Sequence, residues 1–159
     1  MQKSNLNVVL YEPEIPQNTG NIARLCACTG AKLYLIGRLG FSMSEKHLKR
    51  SGLDYWDMVE IEHLNSFEEL KERAIGHNIY YFTTKTDKLY TSVEYKEGDF
   101  LMFGPETRGL PGEIREYGKD NCVTLPMIEG ARSLNLSNSV AVGVYEAIRQ
   151  IYQKTVLFR

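Results

Sequence analysis

Little in this sequence invites a disulfide, a membrane or a metal. Three cysteines occur among 159 residues, Cys26, Cys28 and Cys122, and an odd number without a secretory leader does not make a disulfide framework. Cys26 and Cys28 stand two apart, so on a helix they point in different directions. The three histidines, His47, His63 and His77, show no ligand spacing with them, and a bound metal is not expected. No apolar run approaches the roughly 18 residues of a membrane span. Met1-Gln2-Lys3-Ser4-Asn5 runs straight into a strand-like segment, which leaves no signal peptide to remove. A cytoplasmic protein is expected.

No sign of charge dominates either. The formal net charge is −1, which does not advertise a nucleic-acid binder, although a local basic face needs no basic total. The common nucleotide and hydrolase fingerprints are missing. No G-x-G-x-x-G follows the first strand, and no G-x-S-x-G or H-E-x-x-H occurs. Gly104-Pro-Glu-Thr-Arg-Gly109 has the two glycines of a phosphate loop, but Leu110-Pro111 stand where lysine and a hydroxyl residue are required. Such a loop cannot neutralise a triphosphate.

What is present is a globular composition, 43% hydrophobic and 25% charged, in which β-rich runs alternate with helical patterns. Leu6 to Tyr11 reads as a buried strand, Pro13 to Pro16 as a loop, and Gly20 to Thr29 as a helix stopped by Gly30. Leu33 to Gly37 is a second strand. Ser44 can cap a short basic helix, Glu45 to Ser51, closed by Gly52. Ser66-Phe-Glu-Glu69 has the capping-box form and opens a helix ending near Gly76. Ile79–Phe82, Phe100–Phe103 and Cys122–Leu125 are further strands, and a last helix runs from about Asn138 to Tyr152. No repeat or linker interrupts this order. Alternating units predict one α/β domain over residues 1–159, a mostly parallel sheet with helices on both faces.

Three segments carry more polar chemistry than local structure needs. In Asn18-Thr-Gly-Asn-Ile-Ala-Arg24, Asn18 or Thr19 can cap the helix, Gly20 permits close approach, and Arg24 lies off the apolar stripe of Ile22, Leu25 and Cys26. Phe103-Gly-Pro-Glu-Thr-Arg-Gly-Leu-Pro111 follows an apolar strand, at the end where open α/β sheets bind ligands. There Glu106 can accept hydrogen bonds from an ammonium or a ribose. Finally, Leu125-Pro-Met127 and then Ser133-Leu-Asn-Leu-Ser-Asn-Ser139 put five small polar residues within seven ahead of an apolar helix. Capping needs one of them.

In this order and at these separations, the three segments resemble the SPOUT superfamily of methyltransferases, in its ribose 2′-O branch, over essentially the whole chain. The minimal length and the opening Val-Leu-Tyr-Glu-Pro-Glu-Ile-Pro are most similar to the small members that methylate the wobble nucleotide of certain leucine tRNAs. The resemblance implies a C-terminal deep trefoil knot, a homodimer whose site is completed across the interface, and S-adenosylmethionine bound in the knot. Phe82, Thr83, Gly104, Glu106, Leu125, Met127 and Ser133 would line that pocket, and Ser133, Asn135 and Ser137 would be small enough to pack where chains cross. A stripe of Val140, Val144, Ile148 and Ile151, extended by Val142 and Tyr145, is consistent with a dimer-forming last helix.

By the same resemblance, Arg24 matches the family's reactive arginine, and Asn18, Glu106 and Asn135 its supporting residues. Arginine titrates above about 12, so two roles stand open: a desolvated proton acceptor, or a cation gripping a phosphate beside the reacting ribose. The second needs no shift and is favoured. Lys46, Lys49, Arg50 and Lys85 are candidates for contacts to the tRNA anticodon loop, with Tyr55 or Trp56 stacking on a base. The same chemistry on another tRNA or ribosomal RNA position, and a non-catalytic RNA-binding module, are the competing readings.

Overall fold

The computed structural model describes residues 3–43 and 55–156. The basic helix expected at Glu45–Ser51, with Lys46, Lys49 and Arg50, lies outside the described residues.

Six parallel strands form one sheet: β1 (Asn7–Tyr11), β2 (Lys32–Ile36), β3 (Ile61–Leu64), β4 (Ile79–Phe82), β5 (Phe100–Phe103) and β6 (Cys122–Val123), in the order β3-β2-β1-β5-β4-β6. The described helices are α1 (Pro16–Thr29), α2 (Phe67–Arg73), α3 (Gly112–Tyr117) and α4 (Leu136–Val156). The expected α/β class, a mostly parallel sheet with helices on both faces, is the observed one.

Side chains alternate across each strand and so build two cores. Val8, Leu10, Leu33, Leu35, Leu101 and Phe103 pack with α1 and α4 on one face; Val9, Tyr34, Ile36 and Met102 pack with α2 and α3 on the other. Val140, Val144, Ile148 and Ile151 are all buried in the first core. The predicted stripe on the last helix therefore faces its own sheet, and only Val142 and Tyr145 stay exposed.

Several boundaries differ from the sequence reading. Helix α1 begins at Pro16, four residues before Gly20, because proline's fixed φ suits the first helical position and its missing N–H is no loss there. Asn18 and Thr19 are therefore buried inside the helix and do not cap it; the cap is Ile15, without a side-chain hydrogen bond. Ser66 does cap α2, its Oγ accepting from Glu69 N at 3.3 Å, but the Glu69 carboxylate accepts from Asn65 N. That helix ends at Arg73. Strands β3 and β6 and helix α3 are the other differences. β3 was not anticipated because Ile-Glu-His-Leu is a polar edge strand, pinned by Lys32 against Glu62 at 2.9 Å. α3 is six residues long and shows no clear period. β6 stops at Val123, and Thr124 makes only an isolated bridge with Leu89. α4 starts at Leu136, earlier than Asn138, and runs past Tyr152 to Val156.

Strands β1 and β5 are neighbours, but the chain leaves β1 towards β2 and leaves β5 towards β6. The connections diverge there, opening a crevice at the carboxyl ends of the two strands. Its floor is the stacked pair Phe82 and Phe103, with ring centroids 4.5 Å apart. Helix α4 lies against this pair at Gly143, where a Cβ would stand 2.9 Å from Phe82 Cζ. Gly143→Ala should lower stability by about 1 kcal/mol net, an overpacking cost of ~1–3 kcal/mol less the ~1 kcal/mol gained in helix propensity. Urea unfolding measures it, and unchanged or raised stability would mean that the ring pair yields freely.

Candidate functional site

Two loops meet over the crevice and are tied by exchanged carboxylates. Glu106, in the loop after β5, accepts from Glu14 N at 2.8 Å and Ile15 N at 2.9 Å, and from Asn18 Nδ2 at 3.3 Å. In return Glu14, in the loop after β1, accepts through Oε1 from Thr107 N at 3.1 Å and Thr107 Oγ1 at 2.7 Å. Arg108 pairs with Glu12 at 3.2 Å. The Glu106 carboxylate thus satisfies backbone donors at the start of α1, which no capping side chain reaches. Three contacts leave about one of its four lone-pair positions for a ligand.

The network continues into the segment before α4. Asn135 Nδ2 donates to Asn18 Oδ1 at 3.1 Å, and Ser137 Oγ donates to Asn135 Oδ1 at 2.6 Å. Asn138 N adds a bond to the same oxygen at 3.3 Å. Asn18, Glu106 and Asn135, distant in sequence, are therefore one connected unit. The Glu14 carboxyl is held below its usual value by the hydroxyl and N–H of Thr107. A lowered acid keeps its clamp above the unfolded value and loses it only as pH falls through the lowered one.

The loop after β5 is folded tightly on itself. A Cβ at Gly104 would lie 2.2 Å from Gly109 C and from Leu110 N, so only glycine fits this turn. Gly109 adopts φ 66°, the left-handed region. Between this loop, the β4 end and the 124–136 segment lies a cavity of about 580 Å³, a size that suits a nucleoside-containing ligand. Phe82, Thr83, Gly104, Glu106, Leu125, Met127 and Ser133 all line it, as do Asn18, Asn135 and Lys85. Phe82 and Phe103 give it apolar surface. The sequence reading did not single out Arg132, exposed at its lip, nor Glu14 and Thr107; a Pro-Glu-Ile-Pro motif marks a turn but not its partner across the crevice. Ser133 and Asn135 are exposed in the single chain.

Arg24 does not line this cavity. It is exposed on α1, its guanidinium over the Tyr55 ring, 4.8 Å from the centroid. Cys26 is buried, with its thiol pushed up to about 12 by burial, and so is inert core. Among the described residues no group of three His, Cys, Asp or Glu could hold a metal ion, and no helix is long and apolar enough to cross a membrane.

A model described as the SpoU rRNA Methylase family matches residues 5–145. The chain belongs to that family. Among SpoU-family relatives, a Saccharophagus degradans protein named tRNA (cytidine(34)-2′-O)-methyltransferase is 51% identical over 148 residues, covering 91% of this chain and 95% of its own. The Escherichia coli (strain K12) protein of the same name is 46% identical over 147 residues, covering 92% and 94%. A structure described as giving insight into 2-OH methylation of C/U34 on tRNA superposes with a TM-score of 0.85 at 44% identity, over 91% of this chain and 95% of that one. The SpoU methyltransferase AviRb from Streptomyces viridochromogenes, in complex with the cofactor AdoMet, superposes with a TM-score of 0.80 at 26% identity, over 94% and 59%.

The Glu106 clamp is testable by itself. Glu106→Gln turns one acceptor into a donor facing N–H groups, so unfolding should become easier by about 1–3 kcal/mol. Urea denaturation reads this out, and a loss below a few tenths would show that the clamp is dispensable.

Proposed function

We propose that this SpoU-family enzyme is an S-adenosylmethionine-dependent tRNA methyltransferase acting on the ribose 2′-hydroxyl of the wobble nucleotide, cytidine or modified uridine, in leucine tRNAs. The observation that carries it is the convergence of Asn18, Glu106 and Asn135 at the edge of a cavity whose lining includes every residue expected at the cofactor. The name shared by relatives of this length supports the reaction and its position.

S-adenosylmethionine supplies a sulfonium-bound methyl group; this chain must hold it, present the ribose and allow the hydroxyl proton to leave. The cavity fits it: Phe82, Leu125 and Met127 offer apolar surface for a purine, while backbone groups at Thr83, Gly104 and Ser133 offer hydrogen bonds to its edges. Glu106 and Asn18 fix the entry of α1 and through it the direction of Arg24. In line displacement is sensitive to such placement. The cationic Arg24 grips a phosphate beside the reacting ribose.

Because Arg24 stands outside the cavity of its own protomer, we infer a homodimer in which it serves the partner's site. Exposed apolar groups at Ile15, Leu134, Val142 and Tyr145 support such an interface. The reading further comprises one catalytic domain, the trefoil knot of the 2′-O-methyltransferases it resembles, a cytoplasmic location, no resident metal, and an anticodon-loop surface that includes Lys85 and the Lys46, Lys49, Arg50 segment.

Purified protein with labelled S-adenosylmethionine and total tRNA tests this, the product being mapped by nucleoside analysis. Label is expected on the ribose of nucleotide 34; label on a base, or on ribosomal RNA alone, overturns it. Arg24→Lys should weaken tRNA binding while leaving the pH profile of kcat unshifted. A shifted profile would return Arg24 to the proton-acceptor role.

A further inference from the structure

We propose that Tyr55 is a positioning residue for Arg24: its ring holds the guanidinium by one face and leaves the in-plane N–H donors free for an RNA phosphate. This rests on the reading of Arg24 as a phosphate ligand given above.

Arg24 projects from the outer side of α1, and the contact with Tyr55 at 4.8 Å is the one shown for it among the described residues. The backbone that carries the ring is anchored. Tyr55 precedes a short 3-10 turn, Trp56–Met58, in which Met58 N donates to Tyr55 O at 2.9 Å. Trp56 and Val59 pack against the core that contains Ala23 and Cys26 of the same helix. Trp56 thus packs on the core while Tyr55 faces Arg24.

An arginine side chain carries much rotamer entropy, and binding through it is weakened unless something orders it beforehand. A carboxylate would order it by consuming its donors and neutralising its charge. An aromatic face orders it through the ring's quadrupole and consumes neither. A residue that must be held in place yet keep its hydrogen bonds for a ligand is served by the second arrangement. Among the described residues no ion pair joins Arg24 to an acidic side chain: Glu60 pairs with Lys32 at 2.9 Å, and Asp57 makes no pair with Arg24.

Titrating tRNA onto the full-length protein, with kcat and KM measured in parallel, decides the matter. Tyr55→Leu should weaken tRNA affinity and lower kcat/KM about three- to tenfold, with S-adenosylmethionine affinity unchanged as the check that the fold persists. Tyr55→Phe, which keeps the ring, should recover most of the loss. Tyr55→Glu, which offers Arg24 a carboxylate, should be at least as weak as Tyr55→Leu. In an Arg24→Ala background, Tyr55→Leu should cost nothing further. The same loss in both backgrounds would mean that the ring acts on RNA directly, and wild-type binding by Tyr55→Leu would remove its role; either overturns the inference. If Arg24→Ala itself binds tRNA like the wild type, the reading of Arg24 fails first, an outcome distinct from a weak Arg24→Ala beside an unaffected Tyr55→Leu.

Discussion

Two carboxylates exchanged across the crevice hold the functional end of the molecule together. Each comes from one loop and is bonded by groups of the other: Glu106 to the backbone at the start of α1, Glu14 to Thr107. Parallel strands β1 and β5 would be neighbours without this exchange, since their ladder is independent of the loops. The loops would not be. What the exchange fixes is the angle at which α1 leaves the sheet, and hence where Asn18 and Arg24 stand relative to the cavity.

This changes how the polar residues are understood. Glu106 reads from sequence as a group waiting for a ligand, yet most of its capacity is spent within the fold, on two backbone donors and the Asn18 amide. Asn18 reads as a helix cap, yet it is buried and joins Glu106 to Asn135. A buried amide that donates to one neighbour and accepts from another is tied at both its nitrogen and its oxygen. Its value to the site is stiffness, because three segments cannot move apart without stranding a polar group.

Much of the architecture was legible in the sequence, for identifiable reasons. Buried parallel strands are apolar runs that no helix period explains, so β1, β2, β4 and β5 stood out, and Gly30 marked the end of α1. The residues proposed to line the cofactor came from motif order, and one cavity gathers them. Pro16 carries the signal of a first helical residue, but Pro13 to Pro16 also reads as a turn, and local pattern does not choose between them. Other features were out of reach. β3 is half polar because it is an edge; the partner of Glu14 lies more than 90 positions away; and nothing in local pattern says that Tyr55 meets Arg24.

The pairing of β1 with β5 brings Asn7 beside Phe100, and it has a bearing on assembly. The loop-closure entropy of so distant a contact must be met before the crevice exists. Neither strand can template the pocket while the chain is still emerging from the ribosome, and the 124–136 wall comes later still. The first half of the polypeptide thus spends its synthesis with one flank of β1 unpaired, a strand edge open to the wrong neighbour. The cavity closes only once the 124–136 segment has been made, and a chain cut short before β5 lacks both Phe103 and the Glu106 loop.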